Sequence, residues 1–242
     1  MKLVVFVMPG YPTLADSLET VAFLQTQENV IIETSLPKKN EAAKGIIRHV
    51  HQQALKNDVI PKDVFQAFRQ IQASFLMLSK TPDAKTLQKI RGTFDTALFP
   101  ATPAMLRKLN APRRTHFAAK VRPGQKNLEA VVRAARGFVY LQCAPERAKS
   151  MYPEKTLWQA LQRIHSTKKI PVFAGYGVKT RADIQKLERL GADGVVLGSQ
   201  SVRHQAQGPN AFKKWFLNLR KRWRQTRKKL IKGHRQGKTH AN

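Results

Sequence analysis

The sequence is poor in cysteine, and it has no long apolar run. Its one cysteine among 242 residues is Cys143, so an internal disulfide and a thiolate-rich metal site are both excluded. Such sparing use of cysteine is typical of a reducing compartment, and we therefore predict a cytoplasmic location. No uninterrupted apolar stretch approaches the roughly 18 residues that a membrane-spanning helix needs, so we predict no transmembrane segment.

Acidic residues are scarce beside basic ones. The chain has 15 Asp and Glu against 44 Lys and Arg, which gives a formal net charge of +29. Residues 203–242 contain 13 of the Lys and Arg and no Asp or Glu. This excess favours anionic partners, namely nucleic acid, anionic lipid or phosphorylated metabolites. A solvated basic surface without a partner is an equal alternative, because net charge bears on association and solubility and not on fold.

Short β-rich runs alternate with helical patterns along the whole chain. The predicted strands are Leu3–Met8, Val30–Leu36, Ala73–Ser79, Thr96–Phe99, His116–Val121, Phe138–Gln142, Pro171–Ala174 and Gly194–Leu197. Each strand–helix unit has the size of a βα repeat, about 30 residues. This alternation predicts an α/β protein, a single-domain (β/α)8 TIM barrel. A doubly wound open sheet is the alternative, although no G-x-G-x-x-G follows the first strand to support a dinucleotide fold.

Helix boundaries are marked by capping residues in two places. Thr13 lies three residues before Asp16, and Thr180 lies three residues before Asp183, which is the spacing of an N-terminal cap. The first of these helices is expected to place Leu14, Leu18 and Val21 on one apolar face. The second is expected over Arg181–Leu190.

The last helix, from about Ala211, carries large apolar side chains at helical spacing among many basic ones. The apolar positions are Phe212, Trp215, Phe216, Leu219 and Trp223. They predict a barrel helix packed on the sheet, although a basic amphipathic helix for a membrane surface or nucleic acid is the alternative. We predict a barrel over residues 1–230 and a basic flexible tail over residues 231–242, which has no apolar face.

Glycines follow the seventh and eighth predicted strands. Strand seven ends in Gly175-Tyr176-Gly177, and strand eight ends in Gly198-Ser199. In (β/α)8 barrels the loops after these strands and a nearby helix N-terminus often hold phosphate. Glycine lets backbone N–H groups approach phosphate oxygens closely, and the Ser199 hydroxyl can add a donor. The alternative is a pair of tight βα turns with no ligand.

Four segments resemble the alpha subunit of tryptophan synthase, in the same order along the chain. They are Phe6–Pro12, Ile31–Pro37, Gly137–Tyr140 and the run from Pro171 to Val202. The resemblance is densest over Gly191–Ser199, in a form that several phosphate-binding barrels share. The second-strand segment from Ile31 to Pro37 is more specific to this family.

This resemblance implies a lyase that cleaves indole-3-glycerol phosphate to indole and glyceraldehyde 3-phosphate without a metal or an organic cofactor. Glu33 matches the family's catalytic glutamate, a general acid/base. Tyr140 matches a substrate-pocket tyrosine, and Gly177, Gly198 and Ser199 match the phosphate cradle. A structural alternative for Glu33 alone is an exposed acid at a strand end. The family's partner is a beta subunit, a pyridoxal-phosphate enzyme.

Three loops depart from the family pattern. Counting from Glu33 without gaps places Lys44 at the position of the second catalytic aspartate, which accepts the indole N–H hydrogen bond. A lysine ammonium cannot accept a hydrogen bond, and its charge opposes a cationic indole ring. Cys143–Ala148 replaces a Ser-Arg-x-Gly-Val-Thr pattern, and Ala101 stands where an aspartate is usual. These loops include surfaces used against the beta subunit, so they also argue against that assembly.

Three functions follow from these observations. The first is a lyase of reduced activity that depends on Glu33. The second is a barrel that has lost the lyase chemistry and binds a phosphorylated small molecule. The third is a nucleic-acid or anionic-surface binder that uses the basic residues 203–242.

Overall fold

The computed structural model describes residues 1–39, 45–110, 115–145, 148 and 150–221. Within them, eight parallel strands pair in chain order, and β1 closes on β8 to form a barrel. The strands are β1 (Lys2–Phe6), β2 (Val30–Thr34), β3 (Ser74–Met77), β4 (Thr96–Leu98), β5 (His116–Val121), β6 (Val139–Gln142), β7 (Val172–Gly175) and β8 (Gly194–Leu197). The predicted (β/α)8 barrel is therefore confirmed, and the open doubly wound sheet is excluded.

Helices surround the barrel, and at least one follows every strand in the described chain. They are α1 (Leu14–Gln25), α2 (Ile46–Lys56), α3 (Pro61–Phe68), α4 (Ala84–Arg91), α5 (Pro103–Leu109), α6 (Leu128–Ala134), α7 (Glu154–Thr167), α8 (Arg181–Arg189), α9 (Ser199–Gln205) and α10 (209–221). The sequence did not predict α9, because the helix is short and mostly polar. None of the helices in the described ranges is long and apolar enough to cross a membrane.

Both predicted helix caps form. The side chain of Thr13 accepts a hydrogen bond from the backbone N–H of Asp16 at the start of α1. Thr180 and Asp183 form a reciprocal capping box at the start of α8. Each cap satisfies backbone donors that the first helical turn would otherwise leave without partners.

The apolar face predicted for α1 is wrong in part. Leu14 and Leu18 are 37% and 39% exposed, whereas Ser17, Thr20, Val21 and Leu24 are buried. The small hydroxyl residues face inward because α1 packs closely at its start, where the Ser17 hydroxyl accepts a hydrogen bond from the backbone N–H of Gly10. The buried face of α1 therefore follows from close packing and differs from the face that the hydropathy pattern predicts.

The barrel encloses its own apolar core, separate from the core between strands and helices. Alternate strand residues point inward, including Val4, Ile31, Phe75, Leu98, Ala118, Phe138, Tyr140, Phe173 and Val196. Phe138 stacks on Phe173 with ring centroids 4.7 Å apart, and its centroid lies 4.8 Å from that of Phe75. These rings fill the barrel interior, as expected for a packed core and not a pore.

The last described helix packs on the barrel as a structural element. Phe212 and Phe216 of α10 are fully buried and make edge-to-face contacts with Phe23 of α1, at 6.4 and 5.8 Å between centroids. Arg220 is also buried and donates hydrogen bonds to Gln27 and to the backbone oxygen of Glu28. The expected packing role is thus confirmed for these residues. Trp223 and the predicted tail 231–242 lie outside the described residues.

Candidate active site at the carboxyl end of the barrel

Inward-facing polar side chains gather near the carboxyl ends of β2, β5, β6 and β7. Glu33 follows Ile31 by two residues on β2, and Lys120 follows Ala118 by two on β5, so both point into the barrel. Lys120 pairs in register with Tyr140 of β6. Parallel strands bring these ends to one face, which is where (β/α)8 barrels carry their active sites.

Glu33 is a buried carboxyl group. It is 4% exposed, and its Oε2 atom is buried without a hydrogen-bond partner. Burial raises the pKa of Glu33 to about 8, and the nearby positive charge of Lys120 partly offsets this rise. The alternative of a solvent-exposed acid at a strand end is excluded by this burial. A carboxyl group with a pKa near neutrality is suited to general acid/base work.

Lys120 contacts Tyr176, which directly follows β7. Its ammonium donates a hydrogen bond to the Tyr176 hydroxyl over 3.0 Å and lies 4.4 Å from the ring centroid. Sequence reasoning missed both residues as site residues. The signal was present in β5, where the period of two places His116, Ala118 and Lys120 on one face. Only barrel closure identifies that face as the interior.

Tyr140 lies beside this pair. It is buried, and its ring meets that of Tyr176 edge to face with centroids 5.9 Å apart. Burial raises the pKa of Tyr140 well above its usual value, and the neighbouring Glu33 raises it further. The Tyr140 hydroxyl is therefore a neutral hydrogen-bonding group at any physiological pH. The structure brings Glu33, Lys120, Tyr140 and Tyr176 into one interior cluster.

The glycine turns lie at the ends of β7 and β8, as predicted. Tyr176 and Gly177 both have positive φ, at 67° and 83°. At Gly177 a Cβ would approach Ala144 and Met151 to within 3.0 and 3.1 Å, so glycine is favoured there by backbone and space alike. Gly198 caps α9 and Ser199 is its first residue, whereas a Cβ on Gly198 would meet no atom within 4 Å. There is thus open space in front of Gly198.

The altered loops are described in part. Lys44, at the aligned position of the second carboxylate, lies outside the described residues. Cys143 is buried, and burial raises the pKa of its thiol to about 12, so it is no nucleophile. Ala101 is half-buried after β4 and offers no polar group.

Metal ligands do not converge in the described parts of the chain. Across residues 1–39, 45–110, 115–145, 148 and 150–221, no three His, Cys, Asp or Glu side chains could share an ion. His51 is buried in α2, whereas His49 makes an edge contact with Tyr11.

The fold and this cluster define a class, the (β/α)8 barrels with a buried carboxyl group and glycine turns at the strand ends. Comparison with known proteins narrows the class. Residues 118–231 match the family model described as tryptophan synthase alpha chain. The tryptophan synthase alpha chain of Caldicellulosiruptor saccharolyticus is 20% identical, over 82% of this chain and 84% of that protein. The Staphylococcus aureus protein (strain bovine RF122 / ET3-1) is 23% identical, over 78% and 85%.

Solved structures of similar proteins have the same barrel fold. A mutant tryptophan synthase alpha-subunit from Pyrococcus furiosus has a TM-score of 0.74 at 21% identity, covering 90% of this chain and 96% of its own. The subunit alpha from Campylobacter jejuni has a TM-score of 0.72 at 22% identity, covering 88% and 93%. The resemblance inferred from the sequence is therefore confirmed. This chain is similar to tryptophan synthase alpha chains over 78–82% of its length, at 20–24% identity.

Proposed function

We propose that this protein binds a phosphorylated small molecule at the carboxyl end of the barrel and acts on it with Glu33 as general acid/base. The observation that carries the proposal is the burial of Glu33 among inward-facing side chains, which raises its pKa to about 8. Buried carboxyl groups with shifted pKa values are concentrated at catalytic sites. The protonated form delivers a proton near neutral pH, and the ionised form takes one up.

The phosphate group is assigned to the glycine turns after β7 and β8. Gly177 exposes backbone at a positive φ, and open space lies in front of Gly198 at the start of α9. Ser199 supplies a hydroxyl group at the same helix start. In (β/α)8 barrels these two loops commonly hold phosphate.

The reaction assigned by relationship is the retro-aldol cleavage of indole-3-glycerol phosphate. Glu33 would take the proton of the glycerol hydroxyl and return a proton to the indole carbon as the carbon–carbon bond breaks, which needs no cofactor. We propose that this activity is reduced or lost. Lys44 stands at the aligned position of the second carboxylate, and losing one transition-state partner commonly costs about 10²–10³-fold in rate.

Indole release from indole-3-glycerol phosphate tests the catalytic assignment. Wild type is compared with Glu33→Gln, which keeps the shape and removes the acid. Glu154→Gln is the matched control, because Glu154 is exposed at the start of α7. Slow release that Glu33→Gln abolishes and Glu154→Gln preserves supports the lyase. Release that survives Glu33→Gln contradicts the role of Glu33.

If the folded protein releases no indole, the lyase activity is excluded and binding of a phosphorylated ligand remains as the function. Phosphate-ester binding is then tested with glycerol 3-phosphate on wild type, Gly198→Ala and Gly198→Asp. The space at Gly198 accepts either side chain, and the added carboxylate repels phosphate. Loss of binding in Gly198→Asp alone supports a phosphate site there, and equal binding by all three proteins contradicts it.

A second candidate is binding of nucleic acid or another anionic surface through the basic residues 203–242, favoured by the net charge of +29. Some basic groups there have structural roles, since Lys213 pairs with Glu19 at 2.6 Å and Arg220 is buried. Ending the chain after Leu230 removes tail charges but keeps these two. We expect this truncation to weaken the salt-dependent binding of nucleic acid or another anionic surface. Unchanged affinity would mean that the barrel or the last helix, and not the tail, makes the interaction.

Association with a beta-type subunit is a separate proposal. A related Pyrococcus furiosus structure is of a tryptophan synthase complex. The altered loops after β2 and β6 lead us to expect weak or absent association of this chain with such a partner. Co-migration of this chain with a beta-type subunit in gel filtration at micromolar concentration would contradict that expectation.

A further inference from the structure

An ammonium group enters the barrel interior from β5, near the buried carboxyl group of Glu33. Lys120 lies two residues after Ala118, which belongs to the interior core, and it pairs in register with the buried Tyr140. Lys120 is half-buried, so part of its side chain remains accessible to solvent. An ammonium at a partly buried position attracts an anion more strongly than it does in bulk water.

Tyr176 gives this ammonium a defined position. The 3.0 Å hydrogen bond to the Tyr176 hydroxyl and the 4.4 Å distance to the ring hold Lys120 Nζ against the end of β7. Tyr176 has a positive φ of 67° and directly precedes Gly177. The turn assigned to phosphate therefore also presents the ring that holds the lysine, which places the two candidate anion-binding groups next to each other.

The electrostatic balance of the cluster is positive near neutral pH. The raised pKa of Glu33 leaves it mostly protonated, so it contributes little negative charge against Lys120. Lys38, after β2, adds a second ammonium at the same face, where it donates a hydrogen bond to Ser79 over 3.2 Å. Tyr140 is neutral. This end of the barrel is thus suited to a ligand that carries more negative charge than one phosphate.

We infer that the ligand carries a carboxylate as well as a phosphate, with the carboxylate bound by the Lys120 ammonium and the Tyr176 hydroxyl. The inference rests on the proposed phosphate site and extends it to a substrate class, the small phosphorylated carboxylic acids. Two donors close together match the two oxygens of one carboxylate. The same ammonium opposes the positive charge that an indole ring develops during cleavage, so it favours an acidic substrate over an indole.

Two probes that share a phosphate and differ at one end test this inference. Glycerol 3-phosphate ends in a hydroxymethyl group where 3-phosphoglycerate has a carboxylate. Calorimetric titration of wild type is expected to show about tenfold or greater preference for 3-phosphoglycerate, as a charge-assisted hydrogen bond provides. Lys120→Met should reduce the preference to within about threefold, because it removes the group that binds the carboxylate, whereas any weaker attraction of the phosphate group affects both probes alike.

Two further variants make the result specific. Lys126→Met is the matched control, because Lys126 is exposed in the loop after the same strand, and it should keep the preference. Tyr176→Phe removes one donor and should lower the preference in part. Tyr176→Phe also serves as the test if Lys120→Met does not fold, and circular dichroism establishes which variants are folded.

The outcomes separate this inference from the proposed function. Equal binding of both probes by wild type, or a preference that survives both Lys120→Met and Tyr176→Phe, overturns the carboxylate assignment and leaves the phosphate site intact. Failure of both probes to bind folded wild type overturns the phosphate site and this inference together. A preference lost in Lys120→Met and kept in Lys126→Met supports it.

Discussion

The hydroxyl end of Tyr140 occupies the space that a Cβ atom on Gly175 would need. A methyl group at Gly175 would collide with the Tyr140 hydroxyl and would lie 2.7 Å from its Cζ atom and 2.9 Å from Val196 Cβ. Gly175 has no positive φ, so its requirement for glycine is one of space. The missing side chain of Gly175, in the strand that leads to the proposed phosphate turn, therefore leaves the space that Tyr140 occupies.

This relationship predicts that Gly175→Ala is destabilising and displaces Tyr140. Overpacking a buried site costs typically about 1–3 kcal/mol, and backbone and ring must move to relieve it. Urea unfolding measures the loss of stability. Gly92→Ala is the control, because its Cβ would make only ordinary contacts, at 3.7 Å or more, and it should be close to neutral. Equal effects of the two substitutions would contradict the packing argument.

The raised pKa of Glu33 predicts a pH-dependent cost to stability. The folded protein keeps the Glu33 proton up to about pH 8, whereas the unfolded chain loses it near pH 4.5. Between these values the folded state binds more protons, so stability falls as pH rises. Glu33→Gln lacks this titration. Its stability relative to wild type should therefore increase from pH 5 to pH 9, by up to a few kcal/mol.

Unfolding curves of wild type and Glu33→Gln across this range make the measurement. Glu154→Gln is again the control, since an exposed carboxyl group should give a nearly constant difference. If the difference in unfolding free energy between Glu33→Gln and wild type is also independent of pH, Glu33 is not a buried carboxyl group that keeps its proton near neutral pH.

The packing of α10 predicts unequal effects of two adjacent substitutions. Phe216 is fully buried against Phe23 and Phe212, whereas Leu217 is 48% exposed. Phe216→Ala should cost about 3–5 kcal/mol through lost burial and a cavity. Leu217→Ala should cost less than about 1 kcal/mol, because a surface substitution changes little. Similar losses in thermal unfolding would mean that α10 is not part of the barrel core.

The burial of Cys143 predicts an unreactive thiol. Burial raises its pKa to about 12, so almost no thiolate is present near neutral pH. We expect Cys143 of the folded protein to react slowly with a thiol reagent such as DTNB. In the time that denatured protein needs for complete reaction, less than about one tenth of the folded molecules should be labelled. Rapid labelling of the folded protein would contradict the buried position after β6.

Much of the fold was predictable because its signals are local. The strands β5 and β8 have the predicted bounds, and both helix caps form as their residue types require. Repetition of the βα unit then predicted a parallel sheet with outer helices, and the pairing of β1 with β8 decided for the barrel over the open sheet. The buried face of α1 was not predictable in this way, because it is determined by the packing of α1 on β2 and α9, which the hydropathy pattern does not show.

Part of the candidate site was likewise predictable from the sequence, and part was not. The glycine turns in the sequence selected Gly177, Gly198 and Ser199, and the resemblance to tryptophan synthase alpha chains selected Glu33 and Tyr140. Barrel closure alone decided that Lys120 points inward and contacts Tyr176, and that Glu33 is buried deeply enough to hold its proton near neutral pH. The physical reason is that residue types and spacings are properties of the chain, whereas desolvation and charge proximity exist only once distant strands meet.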